Sequence, residues 1–297
     1  MPACVIFNPT ARGDKARHFR RHLTDLGGEY AFKPTVGPGT ATALAAEAVR
    51  EGFTTIVAAG GDGTVNEVLN GIAAAPDGLK KARLGVIPLG TVNVFAKELG
   101  IPTRLRGAWN VIRAGKERLL DLPVTEFTDA QGRTLRRHFA QLAGAGMDAR
   151  AIELVSWELK KKLGPLAYVV AGFKAWFELP AEITAEADGR RATGSLVLIG
   201  NGRFYGGKLP VFPNARLDDG RFDVRIFPRV TFGTILRWGW SALTGSTAAS
   251  RGATAWQTTA LHLTSVTRAP FEVEGDLVGQ LPATIRLLPK ALRVIAP

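Results

Sequence analysis

Residues Ala58-Ala59-Gly60-Gly61-Asp62-Gly63-Thr64-Val65-Asn66-Glu67-Val68 put three glycines, a carboxylate and a hydroxyl in one short run. That combination suits a phosphate. Glycine lets a backbone turn sharply and present bare N–H groups to an anion, and a helix that follows aims its positive end at the same point. Thr64 reads as the opening of that helix. Glu67 three residues on completes a capping box, and Val68, Leu69 and Ile72 share one face of a helix reaching Ala74. The spacing is neither the G-x-G-x-x-G of dinucleotide folds nor the Gly-Lys-Ser/Thr ending of a Walker loop. A glycine turn also serves ordinary packing, so its meaning depends on what accompanies it.

The elements around it come in two textures. Apolar runs at Ala3–Phe7, Tyr30–Thr35, Thr55–Ala59 and Leu84–Ile87 read as strands. They alternate with helical patterns at Lys15–Leu26, Ala41–Gly52, Val65–Ala74, Val92–Leu99 and Leu105–Ala114. Alternation of this kind predicts a mostly parallel sheet, whose ligands gather at the carboxyl ends of its strands, where Asn8, Thr35, Gly61 and Gly90 fall. From Leu119 on, short runs dominate: Leu119–Phe127, His138–Ala143, Glu182–Ala187, Ser195–Gly200, Phe222–Phe227, Leu261–Thr267 and Phe271–Glu274. Bounded by Gly, Pro and Asp, they predict an antiparallel sandwich. Two helical stretches interrupt it, from Met147 to about Leu179 and Thr231–Ala248, both mixing aromatic side chains with Lys and Arg as an interfacial surface would. Trp238 and Trp240, two apart, cannot both face one core. The expected fold is thus α/β, with an N-terminal domain over 1–119 and a β-sandwich over 120–282.

Composition agrees. With 297 residues, 46% of them hydrophobic, the chain has material for two cores. The one cysteine, Cys4, lies in the first apolar strand and reads as a buried, inert thiol in a reducing compartment. No secretion signal is read at the N-terminus, and the longest apolar stretch, Leu163–Phe177, falls short of the roughly 20 residues of a spanning helix. Lys and Arg outnumber Asp and Glu by 38 to 26, a formal charge of +12. The basic residues are scattered, without a nucleic-acid motif, so an anionic membrane surface is the expected partner and nucleic acid is not.

Five segments in order then carry a resemblance that spans nearly the whole chain. They are Gly60–Ile72 (GGDGTVNEVLNGI), Asn8-Pro9-Thr10-Ala11-Arg12-Gly13, Pro88-Leu89-Gly90-Thr91-Val92-Asn93-Val94-Phe95-Ala96, Asn201 to Asp223, and Val273-Glu274-Gly275-Asp276. Together they resemble the diacylglycerol kinase catalytic-domain family, which includes bacterial lipid kinases and is related to sphingosine and ceramide kinases. Three positions depart from its pattern. Arg12 stands where a small residue is common, Val94 replaces an Asp, and Glu274-Gly275-Asp276 inverts the family's Asp-Gly-Glu.

The resemblance implies ATP and Mg²⁺ as cofactors and a lipid such as diacylglycerol as acceptor. ATP contacts are implied at Asn8, Thr10, Arg12, Thr35, Gly61, Asp62, Gly63, Thr64, Asn66, Glu67 and Thr91. Catalytic roles fall to Asp276 as base, with Glu274 and Asp62 as rivals for that task. In an extended strand Glu274 and Asp276 would face the same side. Asp219, with the carbonyls of Arg216 and Arg221, matches a structural Mg²⁺ site. The C-terminal segment 283–297 is expected to return to the first domain, and the protein to be cytoplasmic and peripheral to a membrane, with a homodimer left open. NAD kinase, which shares the glycine–aspartate loop, is the rival enzyme, and a nucleotide- or lipid-binding protein without turnover is the rival of another class.

Overall fold

Ala3–Phe7 (β1) and Thr55–Gly60 (β3) are buried at every position, as strands covered on both faces of a parallel sheet must be. The computed structural model describes residues 3–11, 19, 30–129, 131–154, 181–207 and 209–297. The chain divides into two units: Met1–Leu122 with Leu288–Pro297, and Pro123–Leu287.

In the first unit β1 lies between Tyr30–Pro34 (β2) and β3, and Arg83–Pro88 (β4) extends the sheet beyond β3, all parallel. The C-terminal end of the chain adds the last strand, with Val294 opposite Leu84. The helices are Thr40–Arg50 (α1), Asp62–Ala74 (α2), the short Gly78–Lys81 (α3), Val94–Glu98 (α4) and Leu105–Ala114 (α5). Gly71 lets α1 and α2 approach closely, since a Cβ there would strike the Thr42 carbonyl. α5 ends at Gly115, in the left-handed conformation (φ 66) that favours glycine. The expected helix Lys15–Leu26 lies outside the described residues, apart from Phe19.

The second unit is antiparallel. Glu117–Thr128 (β5) leads into it and pairs with Thr134–His138 (β6). Leu142–Gly146 (β7), Met147–Leu154 (α6), Ile183–Ala187 (β8), Arg190–Gly194 (β9), Leu196–Gly200 (β10) and Phe222–Phe227 (β11) follow. Then come Phe232–Thr244 (α7), a 3₁₀ turn at Thr247–Ser250, Thr254–Thr258 (β12), Ala260–Ser265 (β13), Pro270–Val273 (β14) and Asp276–Ile295 (β15). One sheet runs β12-β11-β10-β7-β14-β15, while β13 pairs with β15 and β8, and β8 with β9. Ala143, Ala145, Val197, Ile199, Val224 and Phe271 pack against Ile183, Ala185, Leu261, Leu263 and Ile285 in a sandwich core.

The mixed α/β architecture, parallel first and antiparallel second, is the expected one; its details differ. His138–Ala143 is not one strand, because the amides of Ala140 and Gln141 bind a carboxylate (Glu274) instead of a neighbouring strand. β9 is Arg-rich and mostly exposed, without the apolar alternation that marks a strand. The apolar runs Ile285–Leu287 and Leu292–Ile295 of the tail belong to a single 20-residue strand. Beyond Leu154, the helix expected as far as Leu179 lies outside the described residues. Among those described, no helix is long and apolar enough to cross a membrane.

Candidate functional site

In the first unit the motif loops are laced together at the carboxyl ends of the strands. Thr35 N–H donates to Phe7 O at 2.8 Å, Asn8 N–H to Ala59 O at 3.0 Å and Leu89 N–H to Gly60 O at 2.9 Å. Asn8 Nδ2 reaches Thr64 Oγ1 at 3.2 Å, and Asn8 Oδ1 accepts from the N–H and hydroxyl of Thr10 at 2.9 and 2.8 Å. Gly60 leaves room for the Thr64 side chain, which a Cβ would strike. Gly90 abuts Gly61 so closely that a Cβ on Gly90 would stand 2.6 Å from Gly61 Cα. Asn93, at φ 53, closes the second loop by accepting from Gly90 N–H at 2.9 Å and donating to its carbonyl at 2.6 Å. Asn8, Thr10, Gly61, Asp62, Gly63 and Thr64 are therefore gathered on one side, with Thr91 exposed on the loop beside them and Thr35 buried next to β1.

Two expectations change here. The helix begins at Asp62 rather than at Thr64, with Gly61 in extended conformation (φ −89, ψ −173) and no side chain capping it. Among the described residues no side chain caps its first amides, the geometry that suits an anion. Glu67 makes no capping box. Its carboxylate accepts from Gly39 N–H at 2.9 Å and Ala41 N–H at 3.0 Å, at the start of α1. Asp62 turns toward the start of α4, accepting from Phe95 N–H at 3.3 Å, and burial still lifts its carboxyl above the ordinary range. Both acids order loops around the cradle. Asn66 is buried and hydrogen-bonded to Asn70, and Arg12 lies outside the described residues.

In the second unit Glu274 (φ 55) and Gly275 (φ 83) form a two-residue hairpin turn between β14 and β15. Positive φ at both positions is the geometry that turns a tight hairpin. The backbone is thus not extended across the pair, and the two carboxylates part company. Glu274 Oε1 accepts from Ala140 N–H at 2.6 Å and Gln141 N–H at 2.7 Å. Asp276 has 59% of its side chain exposed, with Arg137 Nη2 at 3.5 Å.

Beneath this turn lie acids that the motifs did not single out. Glu272 Oε2 accepts from Gly275 N–H at 2.7 Å, and Asp148 Oδ1 from Ala149 N–H at 2.7 Å, with the Tyr205 hydroxyl also bonded to Asp148. Asp148 Oδ2 and Glu272 Oε1 both crowd the bare face of Gly144 and have no hydrogen-bond partner among the described residues. Burial pushes Asp148 up to about 7 and Glu272 well above the carboxylate range. The signal in the sequence is the small-residue run Leu142-Ala143-Gly144-Ala145-Gly146, which leaves volume on one sheet face, with an acid at alternate parity to Phe271 and Val273 aimed into it.

The comparisons with known proteins bear on the whole chain. Residues 2–124 match the model of the diacylglycerol kinase catalytic domain, and residues 141–296 that of the YegS C-terminal NAD kinase beta sandwich-like domain. Curated diacylglycerol kinases of Staphylococcus aureus, strains bovine RF122 / ET3-1 and MRSA252, are each 32% identical over 305 residues, covering 99% of this chain and 92% of theirs. The chain belongs to the diacylglycerol kinase catalytic-domain family. Two crystal structures from Bacillus anthracis str. Sterne share its fold. One superposes with a TM-score of 0.79 at 24% identity, covering 100% of this chain and 95% of the other. The second, of a diacylglycerol kinase, gives 0.75 at 23%, covering 100% and 97%.

Membership of this lipid-kinase family implies a nucleotide and a divalent cation. The open amides of α2 and the glycine loops suit phosphates. The turn expected to hold Mg²⁺ offers one side-chain carboxylate, Asp219, between the backbone carbonyls of Arg216 and Arg221. Asp219 is exposed and accepts from Arg221 N–H at 3.1 Å, and the Arg216 guanidinium reaches Asp218 Oδ1 at 3.3 Å. Among the described residues no three His, Cys, Asp or Glu side chains converge. One carboxylate with the carbonyls of Arg216 and Arg221 is a donor set compatible with a hard cation that completes its shell with water. Val94, the departure from the family's loop, is buried.

Proposed function

We propose that this diacylglycerol kinase-family chain transfers the γ-phosphate of ATP, taken as its magnesium complex, to the hydroxyl of a lipid such as diacylglycerol. The observation that carries the reading is the uncapped start of α2 at Gly61, pressed against Gly90 and edged by Asn8, Thr10 and Thr64. Phosphoryl transfer needs donors fixed around the phosphoryl oxygens and an acceptor for the alcohol's proton. Amides of residues 61–64 and the hydroxyls of Thr64 and Thr91 supply neutral donors for the triphosphate, with Thr10 held at the rim by Asn8. Asp62 orders them by fixing the start of α4.

The proton acceptor is Asp276, the member of the hairpin pair whose carboxylate faces solvent while Arg137 fixes its direction. Glu274 holds the backbone that carries it. The lipid acceptor resides in a bilayer, so the protein meets its substrate at a membrane surface. The test is labelled ATP offered with a lipid panel and, separately, with NAD, using wild type and Asp276→Asn. One lipid becomes labelled, and the variant loses at least ~100-fold in turnover, the low end for removing a catalytic acid–base group. Label on NAD instead, or undiminished turnover in Asp276→Asn, overturns the acceptor or the base respectively.

A further inference from the structure

α7 is apolar on both of its sides. Inward, Ile235 and Trp238 pack on Leu196, Leu198, Phe227 and Val230, and Trp238 Nε1 donates to Ala249 O at 3.1 Å. Outward stand Phe232, Leu236, Trp240 and Leu243, which are 49%, 58%, 63% and 86% exposed. Steps of four, four and three residues place these within roughly 80° of arc, one stripe running the length of the helix. A single exposed apolar residue needs no explanation; a contiguous row does, and a helix apolar all round is normally covered. This helix is well defined at both ends. Thr231 and Thr234 close a capping box, and Gly245 ends it at φ 71.

The charge around the stripe says what covers it. From Val224 to Phe271 the chain contains five arginines and no Asp or Glu. Arg225 pairs with Asp223 and Arg268 with Glu153. Arg229, Arg237 and Arg251 are exposed and form no ion pair among the described residues. A second copy of the chain would bring the same unpaired cations against its own stripe. An anionic bilayer answers both features, phosphate headgroups to the arginines and acyl chains to the apolar row, with tryptophan at the level where the two meet.

We infer that α7 is an interfacial docking helix, lying on an anionic bilayer with Phe232, Leu236, Trp240 and Leu243 in the acyl boundary and Arg229, Arg237 and Arg251 on the phosphates. The lipid-kinase reading supplies only the reason for visiting a bilayer. The contact itself belongs to this helix.

Cosedimentation with vesicles of equal parts phosphatidylcholine and phosphatidylglycerol tests it, using the full chain. The Leu236→Glu/Trp240→Glu variant keeps the wild-type circular dichroism, because both side chains project outward, and its vesicle affinity falls at least ~10-fold. Arg229→Glu/Arg251→Glu weakens binding by ~10-fold or more on these vesicles but not on pure phosphatidylcholine. Equal binding by wild type and Leu236→Glu/Trp240→Glu overturns the inference. So does a wild-type dimer, seen by analytical ultracentrifugation, that this variant converts to monomers. Turnover of diacylglycerol dispersed in detergent separates the two readings: vesicle binding through the stripe with no lipid-dependent use of ATP sinks the kinase and leaves the docking helix standing.

Discussion

Glu274 gives its Oε1 to the amides of Ala140 and Gln141, while Asp276 faces solvent beside Arg137. Glu274→Ala leaves two buried-side amides without their acceptor, so it costs about 2–3 kcal/mol in urea denaturation. The outcome that would refute this role is a variant as stable as wild type with its turnover abolished, the behaviour of a base. The pair Asp148 and Glu272 carries a pH dependence. Burial moves Asp148 from 3.8 to about 7, so between those values the folded chain keeps a proton that the unfolded chain has released. Stability is fully present at the acid end and falls as pH rises through that window. Asp148→Asn should flatten the urea midpoint from pH 4 to 7 relative to wild type; an unaltered slope would assign the effect elsewhere. The sequence made the acids at 62, 274 and 276 conspicuous but not their directions. Facing the same side assumed an extended backbone, and positive φ at Glu274 and Gly275 removes that premise. Glu272 and Asp148 escaped notice because their chemistry depends on a space beside Gly144 that exists only once β7 and β14 pair.

Among the elements, the cradle depends on two glycine turns meeting, and they differ in tolerance. A Cβ on Gly90 would lie 2.6 Å from Gly61 Cα, backbone that cannot swing aside, whereas one on Gly61 would sit 3.4 Å from Gly90 Cα. Gly61 is also in extended conformation, open to any residue. Gly90→Ala therefore destabilises the first unit by about 1–3 kcal/mol, while thermal melting of Gly61→Ala stays closer to wild type. Comparable melting of the two would mean that the loops do not touch as described. The parallel strands and their helices were legible because unbroken apolar runs and helical periodicity are strong local signals. What failed was local inference about ends and breaks. α2 starts earlier than its Thr suggested, since glycine and Asp can occupy a first turn. β6 and β7 separate because a carboxylate from β14's far end takes the intervening amides.

At the scale of the molecule, the first unit is completed by the last residues of the chain. Leu292, Val294 and Ile295 are buried in it, Arg293 grips Glu117 with two nitrogens at 2.8 and 2.9 Å, and Lys290 N–H donates to Asp121. The apolar runs Ile285–Leu287 and Leu292–Ile295 do not by themselves announce a single strand, because Pro289 and Lys290 stand between them. The first unit also holds Cys4, wholly buried in β1 with its thiol pushed up to about 11. As the lone cysteine of the chain, it is a ready-made stopwatch. A thiol-reactive dye can label it only when β1 comes apart from its neighbours β2 and β3, so each labelling event counts one opening. Saturating ATP should slow the count by holding the sheet's upper loops closed, and a rate indifferent to ATP would say that the nucleotide binds somewhere else.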